Sequence, residues 1–244
     1  MTKSGGVSLA RDLAHTRPHK DKTKVPKNAL EQFLFRLTKS SKSVSGMILG
    51  SQPPIIERAD CRRLPLKNET VDCIITSPPY ANAIDYMRAH KFSLVWWGHS
   101  TKDLSELRAE YIGSERTGKK EPKELPDGCR KTVLSVKRLD TQKAAVLEKY
   151  LFEMSAAIGE MHRVLHHKRV ALIVVGPSTM RGYRVETHEL LAEIGESKGF
   201  SLVYIGQREL DRNRRMMPAR FGNNGHSMIE QRMHEEFVIG LLKP

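Results

Sequence analysis

Cysteine is scarce in this chain. Cys61, Cys73 and Cys129 are its only three among 244 residues, with no Cys-x-x-Cys pair. That argues against a disulfide framework or a cysteine-rich zinc site, and for a reducing compartment, the cytoplasm. Long apolar runs are absent too: no stretch can span a bilayer, and the first residues lack the apolar core of a secretory signal. The whole chain is therefore expected to be mature, with no membrane partner. Acidic residues are outnumbered, 28 against 41 Lys and Arg, for a formal charge of +13. Such a balance favours a polyanion as partner, nucleic acid first and a membrane surface second. The histidines offer no metal site. His162, His166 and His167 cluster without an acidic or cysteine partner at ligand spacing, and read as helix-end residues favoured by the dipole.

What the chain does have is one stretch with a clear local logic. The β-branched run Val71-Asp72-Cys73-Ile74-Ile75-Thr76 predicts a buried strand. Ser77-Pro78-Pro79-Tyr80 must end it, because consecutive prolines give no N–H and fix the backbone. The turn leaves a hydroxyl, two proline carbonyls and an aromatic ring at the carboxyl end of the strand, where open α/β sheets bind ligands. Taken alone, the tetrapeptide also reads as a tight turn or a polyproline-type ligand. The strand before it and the amphipathic pattern after it favour a site.

Ser77-Pro78-Pro79-Tyr80 behind an Asp-apolar strand resembles motif IV of the S-adenosylmethionine-dependent amino-methyltransferases. With Ser first, it is most similar to the DNA cytosine-N4 methylases, ahead of the adenine-N6 enzymes. Upstream, Asp60-Cys61-Arg62-Arg63-Leu64-Pro65 and then Asn68-Glu69-Thr70-Val71-Asp72 are similar in spacing to the family's acidic motif. The resemblance covers about residues 55–243 and is specific in its tetrapeptide. It implies an α/β fold, a Rossmann-like class I methyltransferase sheet, mostly parallel with an antiparallel last strand. It implies S-adenosyl-L-methionine as cofactor with Asp60 near its adenine, Ser77, Pro78, Pro79 and Tyr80 as catalytic residues, DNA as substrate, and a restriction–modification setting. The family's Gly-rich cofactor turn has no counterpart: Ser4-Gly5-Gly6 follows no strand, and Gly46 and Gly50 flank only Met47-Ile48-Leu49. The sheet is thus expected to lack its first strand or strands, with an N-terminal piece or partner subunit supplying the Gly-rich motif.

The rest of the chain divides into a basic arm over residues 1–46, expected to be partly disordered, and a methyltransferase-like catalytic domain over 47–244. In the arm Lys and Arg outnumber acids ten to three; it reads either as solvated or as a phosphate contact centred on residues 15–20. A short helix is expected over 29–37 and a weak strand over 55–57. Residues 81–98 read as a helix, with Asn82 and Asp85 near the substrate and Tyr86, Trp96 and Trp97 in the core. Basic, turn-rich insertions are expected near 104–139 and 210–234, as flexible surface loops or DNA-facing segments. A helix over 141–166 carries the cleanest apolar stripe, followed by a strand at 169–175, a helix at 186–198 and strands at 200–205 and 237–242.

An exocyclic base amine is a poor nucleophile, so acceptors at Ser77 and Pro78 that hold its hydrogens suit methyl transfer, with Tyr80 stacking on a flipped base. Cytosine-C5 chemistry needs a cysteine nucleophile, usually after a proline, and no cysteine here follows one. The leading expectation is methylation of an exocyclic amine in DNA, cytosine-N4 first. The alternatives are an RNA base methyltransferase, one half of a split methylase, and a non-catalytic nucleic-acid-binding remnant.

Overall fold

The computed structural model describes residues 28–44, 54–81, 90, 93–114, 124–210 and 235–244. The chain divides into two compact units, residues 1–57 and 58–244. The first contributes helix α1 (Ala29–Val44), where the Asn28 side chain accepts from the Leu30 and Glu31 amides, an N-cap that starts the helix. The helix runs well beyond the expected residue 37. Residues 54–59 form no strand; the chain turns instead through an isolated bridge between Asp60 and Arg63.

The second unit is a mixed α/β layer. Strand β1 (Val71–Thr76) leads to helix α2 (Thr101–Glu110), then α3 (Asp127–Leu139) and α4 (Thr141–Val164). Strand β2 (Leu165–Val175), a small hairpin β3–β4 (Ser178–Met180 and Tyr183–Val185), helix α5 (Thr187–Ser197) and strands β5 (Ser201–Glu209) and β6 (Glu235–Leu242) complete it. The sheet order is β1-β2-β6-β5, with β1 parallel to β2 and β6 antiparallel to both its neighbours. The last strand thus enters between β2 and β5 against the direction of the other three, as the resemblance implied.

One sheet face carries the core. Ala171, Ile173 and Val175 of β2 and Ile239 and Leu241 of β6 are buried beneath α4 and α5. The stripe Leu147, Tyr150, Leu151, Met154 and Ile158 of α4 is buried throughout, as a three- and four-residue repeat requires. Asp140 caps α4 by accepting from the Lys143 amide at 2.9 Å. Gly195 of α5 lies so close to Leu241 that a β-carbon there would sit 2.7 Å from a Leu241 methyl, so α5 crosses β6 at a glycine.

Several expectations are corrected. The 104–139 stretch is not merely turn-rich: α2 is fixed by a Ser100–Asp103 capping box, and α3 buries Cys129, Val133 and Val136. Its basic residues Arg130, Lys131, Lys137 and Arg138 all fall on the exposed side, and this masked the apolar phase of α3 in the sequence. Trp96 and Trp97 are 86% and 75% exposed rather than core. Trp96 closes the helical turn at 93–96 and Trp97 follows it, so both stand where the helix gives way to the turn before Ser100. His166 and His167 lie in β2 and not at a helix end, because the strand starts at Leu165 immediately after α4. Asn82, Asp85, Tyr86 and the basic 211–234 connection lie outside the described residues, as does most of the 1–46 arm.

Candidate functional site

The β1 strand stops at Thr76, and the four residues after it are non-repetitive. Ser77 is exposed, Pro78 buried, Pro79 and Tyr80 half-buried, and Ala81 fully buried. The turn thus pins its middle in the protein and leaves the serine hydroxyl to solvent at the carboxyl end of β1. Tyr80 packs against the core cluster, and its hydroxyl donates to Glu236 Oε1 at 2.9 Å. Glu236 is the second residue of β6 and also takes Arg208 of the neighbouring β5. The ring is therefore tethered at its polar tip, as half-buried tyrosines usually are.

Behind the turn lies Gly113, whose φ of +81° is a left-handed conformation that side chains rarely adopt. A β-carbon built there would stand 3.8 Å from Pro79 Cβ, 3.8 Å from the Tyr150 ring and 4.0 Å from the Tyr80 carbonyl oxygen. The Gly113 amide donates to Glu153 Oε2 at 3.1 Å. Glu153 Oε1 takes Arg62 Nη1 at 3.2 Å and Lys149 Nζ at 3.6 Å. Burial holds the Glu153 carboxyl above its ordinary value, and the Gly113 amide, Lys149 and Arg62 offset only part of that rise.

Asp60 is reached through the other side of Arg62. Its carboxylate takes Arg62 Nη2 at 2.8 Å, Nε at 3.0 and 3.1 Å, and the Arg62 amide at 2.9 Å. These bonds hold the Asp60 carboxyl below the usual carboxylate range, so it is anionic at neutral pH. Of the residues singled out in the sequence, Ser77 to Tyr80 form one turn, and Asp60 joins them through Arg62, Glu153 and Gly113. Glu153, Gly113 and Glu236 escape a reading of the sequence. Glu153 leaves one signal, a charge in helical phase with the buried Tyr150 and Ala157.

Beyond Tyr80 along the same sheet end, His188 is 6% exposed and stacks on Phe237 with ring centroids 3.5 Å apart and planes 6° from parallel. Its Nδ1 lies 3.8 Å from Glu186 Oε2. Burial lowers its pKa below the ordinary histidine value of 6.5 despite the pull of Glu186, and burial lowers His162 likewise. Both therefore take up a proton less readily in the folded state than in the unfolded chain, so stability falls as pH drops below 6.5. Urea unfolding between about pH 8 and pH 5.5 is expected to show this slope. His188→Phe, which keeps the stack without the proton, is expected to flatten it in part; an unchanged slope would remove His188 from the account.

Among the described residues no group of His, Cys, Asp and Glu is placed to hold a metal ion, and no helix is long and apolar enough to cross a membrane. The site is thus that of an α/β sheet protein with a rigid, hydroxyl-bearing turn at the carboxyl end of a parallel strand pair. In sequence, the chain is 26% identical over 152 residues to the type II methyltransferase M.AvaI of Nostoc sp. strain PCC 7120, covering 55% of this chain and 32% of that protein. It is 27% identical over 143 residues to the type II methyltransferase M.BsoBI of Geobacillus stearothermophilus, covering 57% and 28%. With M.MjaII of Methanocaldococcus jannaschii it shares 31% identity over 101 residues, covering 38% and 18%. The chain spans about a third or less of the length of these curated relatives. In structure, TTHA0409 of Thermus thermophilus, described as a DNA modification methylase and solved with S-adenosyl-L-methionine, superposes with a TM-score of 0.39 at 15% identity, covering 76% of this chain and 54% of that one. No family model matches the chain.

Proposed function

We propose that this chain is the target-amine half of an S-adenosyl-L-methionine-dependent DNA methyltransferase with a Rossmann-like sheet, acting on an exocyclic base amine, cytosine-N4 ahead of adenine-N6. The observation that carries this reading is the Ser77-Pro78-Pro79-Tyr80 turn at the carboxyl end of β1, its middle buried and its serine open to solvent. Similarity to the type II methyltransferases supports it. The residues fit the cofactor on one side. Asp60 is an ionised carboxylate on the loop before β1 and can accept from a hydroxyl or amine. A glycine-rich cradle for the methionine part has no counterpart among the described residues, so an N-terminal piece or a partner subunit would supply it.

Bound S-adenosyl-L-methionine would supply an electrophilic methyl group. The Ser77 hydroxyl and the Pro78 carbonyl would accept the hydrogens of the base amine and favour a pyramidal nitrogen in the transition state. The prolines keep these acceptors aimed without a reorganisation cost. Tyr80, tethered through Glu236, would offer its ring to a base turned out of the duplex. The net positive charge would hold the phosphates, and this part of the affinity falls steeply with salt.

Calorimetry of the purified chain with S-adenosyl-L-methionine tests the cofactor side. Micromolar binding, weakened about tenfold or more by Asp60→Ala, is expected if the pocket closes on this chain alone. Absence of heat at millimolar cofactor would refute self-sufficient activity and leave the split-enzyme form, in which an added N-terminal half restores binding.

A further inference from the structure

We propose that Glu153 is a positioning residue that couples the loop carrying Asp60 to the Ser-Pro-Pro-Tyr turn, so that engagement of Asp60 by a ligand is felt at Pro79 and Tyr80. The inference deepens the proposed function and rests on it only where Asp60 is read as a cofactor contact. Arg62 presents one planar guanidinium to two carboxylates. Its Nε and Nη2 face Asp60, and its Nη1 faces Glu153. A planar fork cannot turn towards one partner without changing its angle to the other. The Glu153 side chain is 11% exposed and stands on α4 one turn from the fully buried Tyr150, so it does not follow solvent. Its second oxygen holds the Gly113 amide, and Gly113 is packed against Pro79 and the Tyr80 carbonyl.

A continuous path of side-chain and backbone contacts therefore runs from Asp60 through Arg62, Glu153 and Gly113 to the turn. A donor offered to Asp60 by a ligand competes for the oxygens that Arg62 now fills. Any resulting turn of the guanidinium changes its angle to Glu153 and so shifts the carboxylate that fixes Gly113. Coupling of this kind is reciprocal, so a base held at the turn would in turn favour the ligand at Asp60. Glu153 acts on the turn through Gly113 rather than on either reactant.

Amide hydrogen exchange at Gly113, Tyr80 and Ala81, followed by NMR, tests this, with the amides of β6 as a control for global opening. Arg62→Gln is expected to speed exchange at Gly113 and Tyr80 at least fivefold, through the carboxylate of Glu153 that stands between them. In a Glu153→Gln background the same substitution is expected to add less than twofold. Arg62→Gln without effect at Gly113, or independent effects that multiply, would overturn the coupling. Should Glu153→Gln fail to fold, Arg62→Gln, whose side chain reaches solvent, decides the matter alone. A second arm adds S-adenosyl-L-methionine at concentrations where calorimetry gives binding heat. The wild type is expected to slow at Gly113 and Tyr80 by fivefold, and Glu153→Gln to bind with no such slowing. Binding heat without slowing in the wild type would overturn the coupling. No heat at all would count against cofactor binding by this chain, and the Arg62 arm would still decide the coupling.

Discussion

Tyr150→Ala is expected to destabilise the protein by about 3–5 kcal/mol, the range for deleting a buried aromatic side chain. In urea this should appear as a lower midpoint, and in heating as a fall on the order of 10 °C. Tyr150 is fully buried at the centre of the α4 stripe, between the helix layer and the Gly113 bend. Its removal leaves a cavity that neither α3 nor β2 can fill without moving other buried groups. The same cavity removes the support behind Gly113, so the Ser-Pro-Pro-Tyr turn should lose order well below the unfolding midpoint. A loss under about 1 kcal/mol would mean that the core re-closes around Tyr150 and that the turn does not depend on it.

Ser77→Ala is expected to lower the rate of methyl transfer to DNA by about 10²–10³-fold under the proposed function, the usual effect of deleting one acceptor or donor aimed at a transition state. Because Ser77 is exposed and the prolines fix the turn, cofactor affinity and stability should stay near wild type. Tyr80→Ala should lose as much through the missing ring, whereas Tyr80→Phe keeps the ring and loses the bond to Glu236. Radiolabelled methyl transfer in the presence of whatever subunit completes the enzyme measures all three. Full rate in Ser77→Ala would end the assignment of this turn to the chemistry.

The parts of the fold that were legible in the sequence are those where one periodicity acts alone. The α4 stripe and the final strand obey a single period, and the Pro78-Pro79 pair ends β1 by covalent constraint. The small β3–β4 hairpin was not legible, because three-residue strands carry too little alternation to register. In α3, basic residues on the outer face outweigh the three buried ones. In the candidate site, Ser77 to Tyr80 and Asp60 could be singled out because each sits in a local pattern. Glu153, Gly113 and Glu236 were not, since the distances that define their roles join residues 40 or more apart in the chain: Glu153 to Gly113, and Glu236 to Tyr80. The exposure of Trp96 and Trp97 could not be read either, because hydrophobicity alone does not say which large apolar side chains find a packing partner.

The position of β1 at the end of the sheet order has a material consequence. Among the described residues its outer edge has no strand beside it, and Ile75 on that strand is 74% exposed in the same cross-sheet row as Leu172, Gly240 and Tyr204. A strand in this position has spare backbone valency, and it will accept another strand from any source that matches its pleat. The charge of Asp72 and the repulsion between copies of a +13 chain act as brakes on that tendency. Salt, which screens those charges, would therefore pull two ways: under the proposed function it would release a bound polyanion, and at the same time it would let sheet edges of neighbouring molecules approach.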